Sequence, residues 1–150
     1  MVRLEVVSVG IVQGSSDVVL VFRAPHTGQL LVMGIGPFEG RAIAMGIERT
    51  EVPRPMTHDL LLKVLEALDA RVQQVLIRDF QDGTFYASLF LEQKDGTVVE
   101  VDSRPSDAVA LAVRAGAPVF CDPVVMALHG VQPDAEEEDG DGEEDDSPIH

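Results

Sequence analysis

Arg104-Pro105-Ser106-Asp107-Ala108-Val109-Ala110-Leu111-Ala112-Val113 is the stretch on which the fold turns. Proline suits the first helical position, and a carboxylate favours the positive end of the helix dipole, so Pro105 and Asp107 mark a helix start. The run Ala108–Val113 is apolar nearly all round, which places that helix in the interior, at the centre of the molecule. A related phrase, Arg54-Pro55-Met56-Thr57-His58-Asp59, stands before a second apolar run. Each phrase sets an arginine, a rigid proline, a hydroxyl and an acid around a helix start, where charge is positioned without a large loop.

Working back from the buried helix, Val72–Phe80, Thr84–Leu91 and Thr97–Val101 read as strands, separated by the hairpin signals Asp82-Gly83 and Asp95-Gly96. The N-terminal third has the same layout. Leu4–Val12, Val18–Phe22 and Leu30–Met33 read as strands joined at Gln13-Gly14-Ser15-Ser16 and His26-Thr27-Gly28. A helix then begins near Pro37 with Glu39 in its first turn. Between the halves, Arg49–Pro55 reads as a connection and Thr57 as the N-cap of a helix over Asp59–Asp69. Its apolar face is Leu60, Leu61, Val64, Leu65 and Leu68, with Asp59 and Lys63 spaced to pair. Pro118–Phe120 reads as a last short strand and Val124–Leu128 as a helical turn.

Sliding the chain on itself by 68 residues pairs Val7 with Val75, Gln13 with Gln81, Phe22 with Phe90 and Gly28 with Gly96. The same shift pairs Pro37 with Pro105, Ala42 with Ala110 and Ala44 with Ala112, and sets Glu39 against Asp107. Turns fall on turns and helix starts on helix starts. The expected fold is therefore α+β: two pseudo-repeated units of three strands plus a helix around a mixed or antiparallel sheet, with one inserted helix. Glu39 and Asp107 should then occupy symmetry-related helix N-termini.

The formal charge of −15 is unevenly spread. Ten of the 26 acids lie from Asp134 onward with no Lys or Arg, leaving 16 acids against 11 bases, or −5, for the rest. The chain is 45% hydrophobic, enough for a core; residues 1–132 are expected to form one domain and 133–150 a disordered acidic tail. Asp139-Gly140-Asp141-Gly142-Glu143 lacks the spacing of a calcium loop. No apolar run is long enough to span a membrane, and Met1-Val2-Arg3-Leu4-Glu5 lacks a signal-peptide layout, so a cytoplasmic protein is expected. Cys121, the single cysteine, admits no internal disulfide and no cysteine-based zinc site.

For chemistry, His58 beside Asp59 offers proton transfer near neutral pH, although a helix start disfavours an added positive charge there. The bland reading has Thr57 capping and Asp59 complementing the dipole. Asp107, with Asp102 upstream, reads either as a base or metal ligand or as an acid that stabilises its helix; Glu39 reads the same way. Arg54 and Arg104 carry forks suited to phosphate or carboxylate. They either hold a phosphodiester or pair with Asp59, Asp102, Asp107 or Glu39 in a network. There is no basic stripe with interleaved aromatics. The residues alone do not name a reaction.

The stretches Arg54-Pro55-Met56-Thr57-His58-Asp59-Leu60, Asp82-Gly83-Thr84-Phe85-Tyr86-Ala87 and Asp102-Ser103-Arg104-Pro105-Ser106-Asp107-Ala108-Val109-Ala110-Leu111-Ala112 add a further step. Through them, residues 3–130 resemble the bifunctional nuclease family of bacteria, archaea and plants, formerly a domain of unknown function. The resemblance implies an α+β domain that self-associates and degrades both DNA and RNA. Thr57, His58, Asp59, Arg104, Ser106 and Asp107 match the family's hallmark residues. Two departures stand out. Gly40 replaces an alanine usual at the first helix start, and the chain ends in acid rather than in the helical hairpin motif some relatives carry.

The resulting expectation is a nuclease with His58, Asp59 and Asp107 as catalytic groups and Arg54, Thr57, Arg104 and Ser106 binding the substrate. Oxygen ligands would suit Mg²⁺ or Mn²⁺, but the sequence does not demand a metal. The alternative is a non-catalytic regulatory or scaffolding domain that self-associates through Arg-Pro/Asp networks. A third reading uses the helix N-termini as an anion sensor. Convergence of His58 and Asp107 in one open cleft with an arginine favours catalysis; buried, mutually paired Arg-Pro motifs favour the scaffold.

Overall fold

The computed structural model describes residues 1–133, so all but the first residue of the acidic tail lies outside the described residues. Seven strands form a mixed sheet: β1 (Val2–Ile11), β2 (Val18–Arg23), β3 (Leu30–Ile35), β4 (Arg71–Gln81), β5 (Thr84–Glu92), β6 (Val98–Ser103) and β7 (Val119–Cys121). Four helices accompany them: α1 (Pro37–Glu48), α2 (Thr57–Ala67), α3 (Pro105–Ala115) and α4 (Pro123–His129). This is the expected α+β fold, with α2 as the inserted helix.

The strand order β3-β2-β1-β7-β4-β5-β6 sets two antiparallel meanders on either side of β7. The duplication is visible in the register. Val6 pairs with Phe22, and 68 residues on Gln74 pairs with Phe90. Bulges in β1 and β4 offset the next pairs by one position, and the second bulge of β4 restores the match, with Asp79 on Tyr86 as Ile11 is on Val18. Strand β7 runs antiparallel to β1 and parallel to β4, closing the gap between the repeats. At the β4–β5 turn, Asp82 and Gly83 both have positive φ, 52° and 79°, the geometry of a two-residue hairpin turn.

As its apolar run requires, α3 is the central element. Pro105, Ser106, Ala108, Val109, Ala110, Leu111 and Ala112 are all buried. Gly46 lets α1 lie close to α3, because a Cβ there would sit 2.6 Å from Arg114 Nη1 and 2.7 Å from Val113 Cγ2. Gly40 does the same toward the sheet, where an added Cβ would stand 2.7 Å from Val18 Cγ1. An alanine at that helix start would push α1 off β2, which explains why this chain carries glycine there.

Two expectations fail at α2. Thr57 is the first helical residue rather than the N-cap, which is Met56, and Asp59 Oδ2 accepts from the Met56 N–H at 3.0 Å. Of the expected apolar face only Leu65 packs on the core, joined there by Leu62, while Leu60, Leu61, Val64 and Leu68 are exposed. The cause is polar. His58 and Asp59 are both tied to α3, and these anchors turn the face bearing Leu62 and Leu65 inward. Asp59 is drawn to Arg114 and the Met56 N–H, and the expected pair with Lys63 is not formed among the described residues.

Candidate functional site

The first turns of α1, α2 and α3 meet around Arg104. Its Nη1 donates to Glu39 Oε2 at 2.9 Å and its Nε to Asp107 Oδ2 at 2.9 Å. The two acids related by the 68-residue shift thus share one guanidinium. The other Asp107 oxygen, Oδ1, lies 3.0 Å from His58 Nε2. His58 is only 12% exposed and Arg104 is 62% exposed, so the imidazole is held from behind while the arginine faces solvent. These groups open onto a cleft of about 370 Å³, lined also by Phe38, Arg41, Met45, Met56 and Thr57.

Burial alone would raise the Asp107 carboxyl, but the hydrogen bonds and charges of Arg104 and His58 together outweigh it and hold the group below its usual value. Asp107 is therefore ionised at neutral pH. It accepts from the imidazole when the proton is on Nε2, the tautomer that leaves Nδ1 as the basic nitrogen. Glu39 is also lowered, first by its own backbone N–H and then by Arg104. Gly36 makes room for that curled conformation, since a Cβ there would fall 2.1 Å from Glu39 Oε1.

The remaining sequence candidates are dispersed. Asp59 leaves the cleft for a neighbouring depression, where Oδ1 accepts from Arg114 Nε at 2.8 Å. Arg114 also donates to Ala110 O at 2.9 Å and is 9% exposed. The Arg114 hydrogen bond is the largest cause of a lowered Asp59 carboxyl. Ser106 is buried and lines a second groove, of about 350 Å³, on the other side of the Glu39–Arg104 pair. Arg54 is exposed and makes no ion pair among the described residues. Asp102 is held by Arg78 on the sheet, away from His58. Cys121 is fully buried, and burial pushes its thiol up to about 12, so it is packed rather than reactive.

Sequence reasoning overlooked Arg114, Arg41 and Phe38. Arg114 was recoverable: Arg104, Asp107 and Arg114 recur at helical spacing on one face of α3. Arg41 and Phe38 left no such trace, because their place in the cleft with His58 depends on how α1 and α2 each pack on α3.

Among the described residues, no group of three His, Cys, Asp or Glu side chains is placed to hold a metal ion. Both Asp107 oxygens are engaged, and a cation here would first have to displace Arg104. The residues do not fit a metal site, and no chemistry below is routed through one.

The fold and cleft define an α+β domain with a histidine–carboxylate pair beside an exposed arginine. The family model of the bifunctional nuclease domain matches residues 20–134, and the chain belongs to that family. It is also 36% identical over 138 residues to two uncharacterized proteins of Mycobacterium tuberculosis, from strains CDC 1551 / Oshkosh and H37Rv, spanning 91% of this chain and 82% of each of theirs. No helix among the described residues is long and apolar enough to cross a membrane.

Proposed function

We propose that this chain is a cytoplasmic phosphodiesterase that cleaves DNA and RNA, with His58 and Asp107 at its catalytic centre. The observation that carries the reading is the 3.0 Å approach of His58 Nε2 to Asp107 Oδ1 in an open cleft that also holds Arg104. In this scheme Nδ1 of His58 takes a proton from water as the water oxygen bonds to phosphorus. The bond from phosphorus to the leaving oxygen breaks, and that oxygen takes a proton from solvent. Asp107 orients the ring and stabilises the imidazolium. Arg104 uses Nε and Nη1 on its acids, which leaves Nη2 for a phosphate oxygen, and Thr57 lies at the cleft wall to bind substrate. Asp59 and Ser106 act by position, through Arg114 and the packing of α3, and Arg54 meets substrate only beyond the cleft.

Single-stranded RNA and single-stranded DNA incubated with wild type and Asp107→Asn, each with Mg²⁺, Mn²⁺ or EDTA, test this. Wild type is expected to cleave, and the folded variant to be at least about tenfold slower. A wild type that cleaves neither substrate would leave the scaffolding reading in place.

That second reading has its own support in the exposed apolar side of α2. Leu65, Leu68, Leu91 and Val99 line a groove of about 880 Å³ between α2 and the β5–β6 pair, rimmed by Lys94 and Asp95. Lys63 and Glu66 of α2 supply the complementary charges, so the occupant that fits is α2 of a second copy. Self-association then runs through α2 rather than through an Arg-Pro/Asp network. Sedimentation should find a dimer in wild type and a monomer in Leu68→Asp; a monomeric wild type at tens of micromolar, on the order used for such interfaces, would rule it out.

A further inference from the structure

The same cleft carries an aromatic and a cation that the proposed hydrolysis does not use. Phe38 is 82% exposed, more than any other large apolar side chain in the described residues. The remaining five phenylalanines are all buried or half-buried. A lone exposed apolar residue needs no explanation by itself. This one stands in the wall of the cleft, one helical turn before Arg41, and both residues line the cavity that holds His58, Asp107 and Arg104. Arg41 makes no ion pair or side-chain hydrogen bond among the described residues, whereas the other two arginines of the cleft are bound to acids. An aromatic face with an unpaired guanidinium one turn away is the pairing that holds unstacked nucleotides: the ring takes a base and the cation takes a phosphate.

We infer that Phe38 and Arg41 form a base-and-phosphate clamp that makes this cleft a site for single-stranded nucleic acid; the inference rests on the phosphodiesterase reading. Three observations point to single strands over duplex. A base inside a duplex is stacked on its neighbours and reaches a side chain in a cleft only after unpairing. The cleft, about 370 Å³, lies at the small end of ligand-binding cavities and suits one nucleotide rather than a helix. Residues 1–133 carry five more acids than bases, so a long phosphate backbone gains little from the surface outside the cleft. Binding must then come from stacking at one point, and it should depend only weakly on salt.

The test separates binding from cleavage. Fluorescence anisotropy of a labelled oligothymidylate, and of a labelled blunt hairpin duplex, is measured on full-length His58→Ala, so that the probe survives. Phe38→Ala, Phe38→Trp and Arg41→Ala are compared in that background. The exposed position of both residues keeps the fold out of the result. Phe38→Ala should weaken single-strand binding by about 5- to 150-fold, the range for loss of one aromatic–base stack. Phe38→Trp should retain it. Arg41→Ala should weaken it and reduce the log–log salt slope by about 0.7. The duplex should bind weakly and equally in all variants. Undiminished single-strand binding by Phe38→Ala, duplex binding as tight as single-strand binding, or no binding at all would overturn the clamp. Phe38-dependent binding by a protein whose wild type cleaves nothing would uphold the clamp and remove the nuclease reading. Cleavage by wild type together with normal binding by Phe38→Ala would do the reverse.

Discussion

Replacing His58 with alanine is expected to lower the cleavage rate by about 10² to 10⁴-fold, the contribution of a positioned general base, while the second anchor of α2, Asp59 on Arg114, keeps the protein folded at some cost in stability. The ring is fixed through Nε2 on Asp107 and would act through Nδ1, and its loss removes the one imidazole that lines the cleft among the described residues. Arg104 stays clamped by Glu39 and Asp107, so substrate binding should survive. The loss should therefore fall on kcat, with KM nearly unchanged, because the missing interaction belongs to the transition state. Single-turnover cleavage of a labelled oligonucleotide, beside circular dichroism to verify folding, measures this. A His58→Ala protein that is folded and cleaves within about threefold of wild type would remove His58 from the reaction.

The second large effect concerns stability. Asp59→Asn should destabilise the protein at pH 7 by about 2–3 kcal/mol, or roughly 6–15 °C in Tm, since it takes the carboxylate from an arginine that is nearly buried. The pH dependence identifies the cause. Asp59 has its carboxyl lowered in the folded state by the Arg114 hydrogen bond. Its contribution is thus fully present above the unfolded value, about 3.9, and is lost as the pH falls through the lower folded value. Wild type and Asp59→Asn should be well separated in urea melts at pH 7 and converge as the pH falls below about 3.9. Equal stability at pH 7, or a gap that stays constant to low pH, would show that the Arg114 pair does not anchor α2. Because α2 also carries His58, the same substitution should slow cleavage without touching the cleft directly.

Much of the architecture was legible because it depends on local patterning. The all-apolar run Ala108–Val113 required a buried helix, and Ala108, Val109, Ala110, Leu111 and Ala112 of α3 are all buried. The 68-residue self-match required like surroundings for Glu39 and Asp107, and a single guanidinium bridges them. The α2 face was misjudged for a definite reason. Periodicity marks Leu60, Leu61, Val64 and Leu68 as apolar, but two polar contacts to α3 decide which side turns inward. A helix with apolar residues on several sides has no unique inward face until such anchors exist.

The candidate site divides along the same line. From the sequence alone came the pairing of helix starts, the concentration of Arg, His and Asp at those starts, and the separation of a strongly acidic end from a mildly acidic body. Those properties follow from residue type and spacing, which act within a turn or two of chain. Only the tertiary structure decided that His58 meets Asp107 across 49 residues, that Asp59 turns away to Arg114 across 55, and that Phe38 and Arg41 share a cleft with them. The packing of α1 and α2 on α3 sets those meetings: Gly46 lets α1 approach α3, and the His58 and Asp59 contacts hold α2 there. No periodicity in the chain encodes such a distance, because it arises from close packing between segments far apart in sequence.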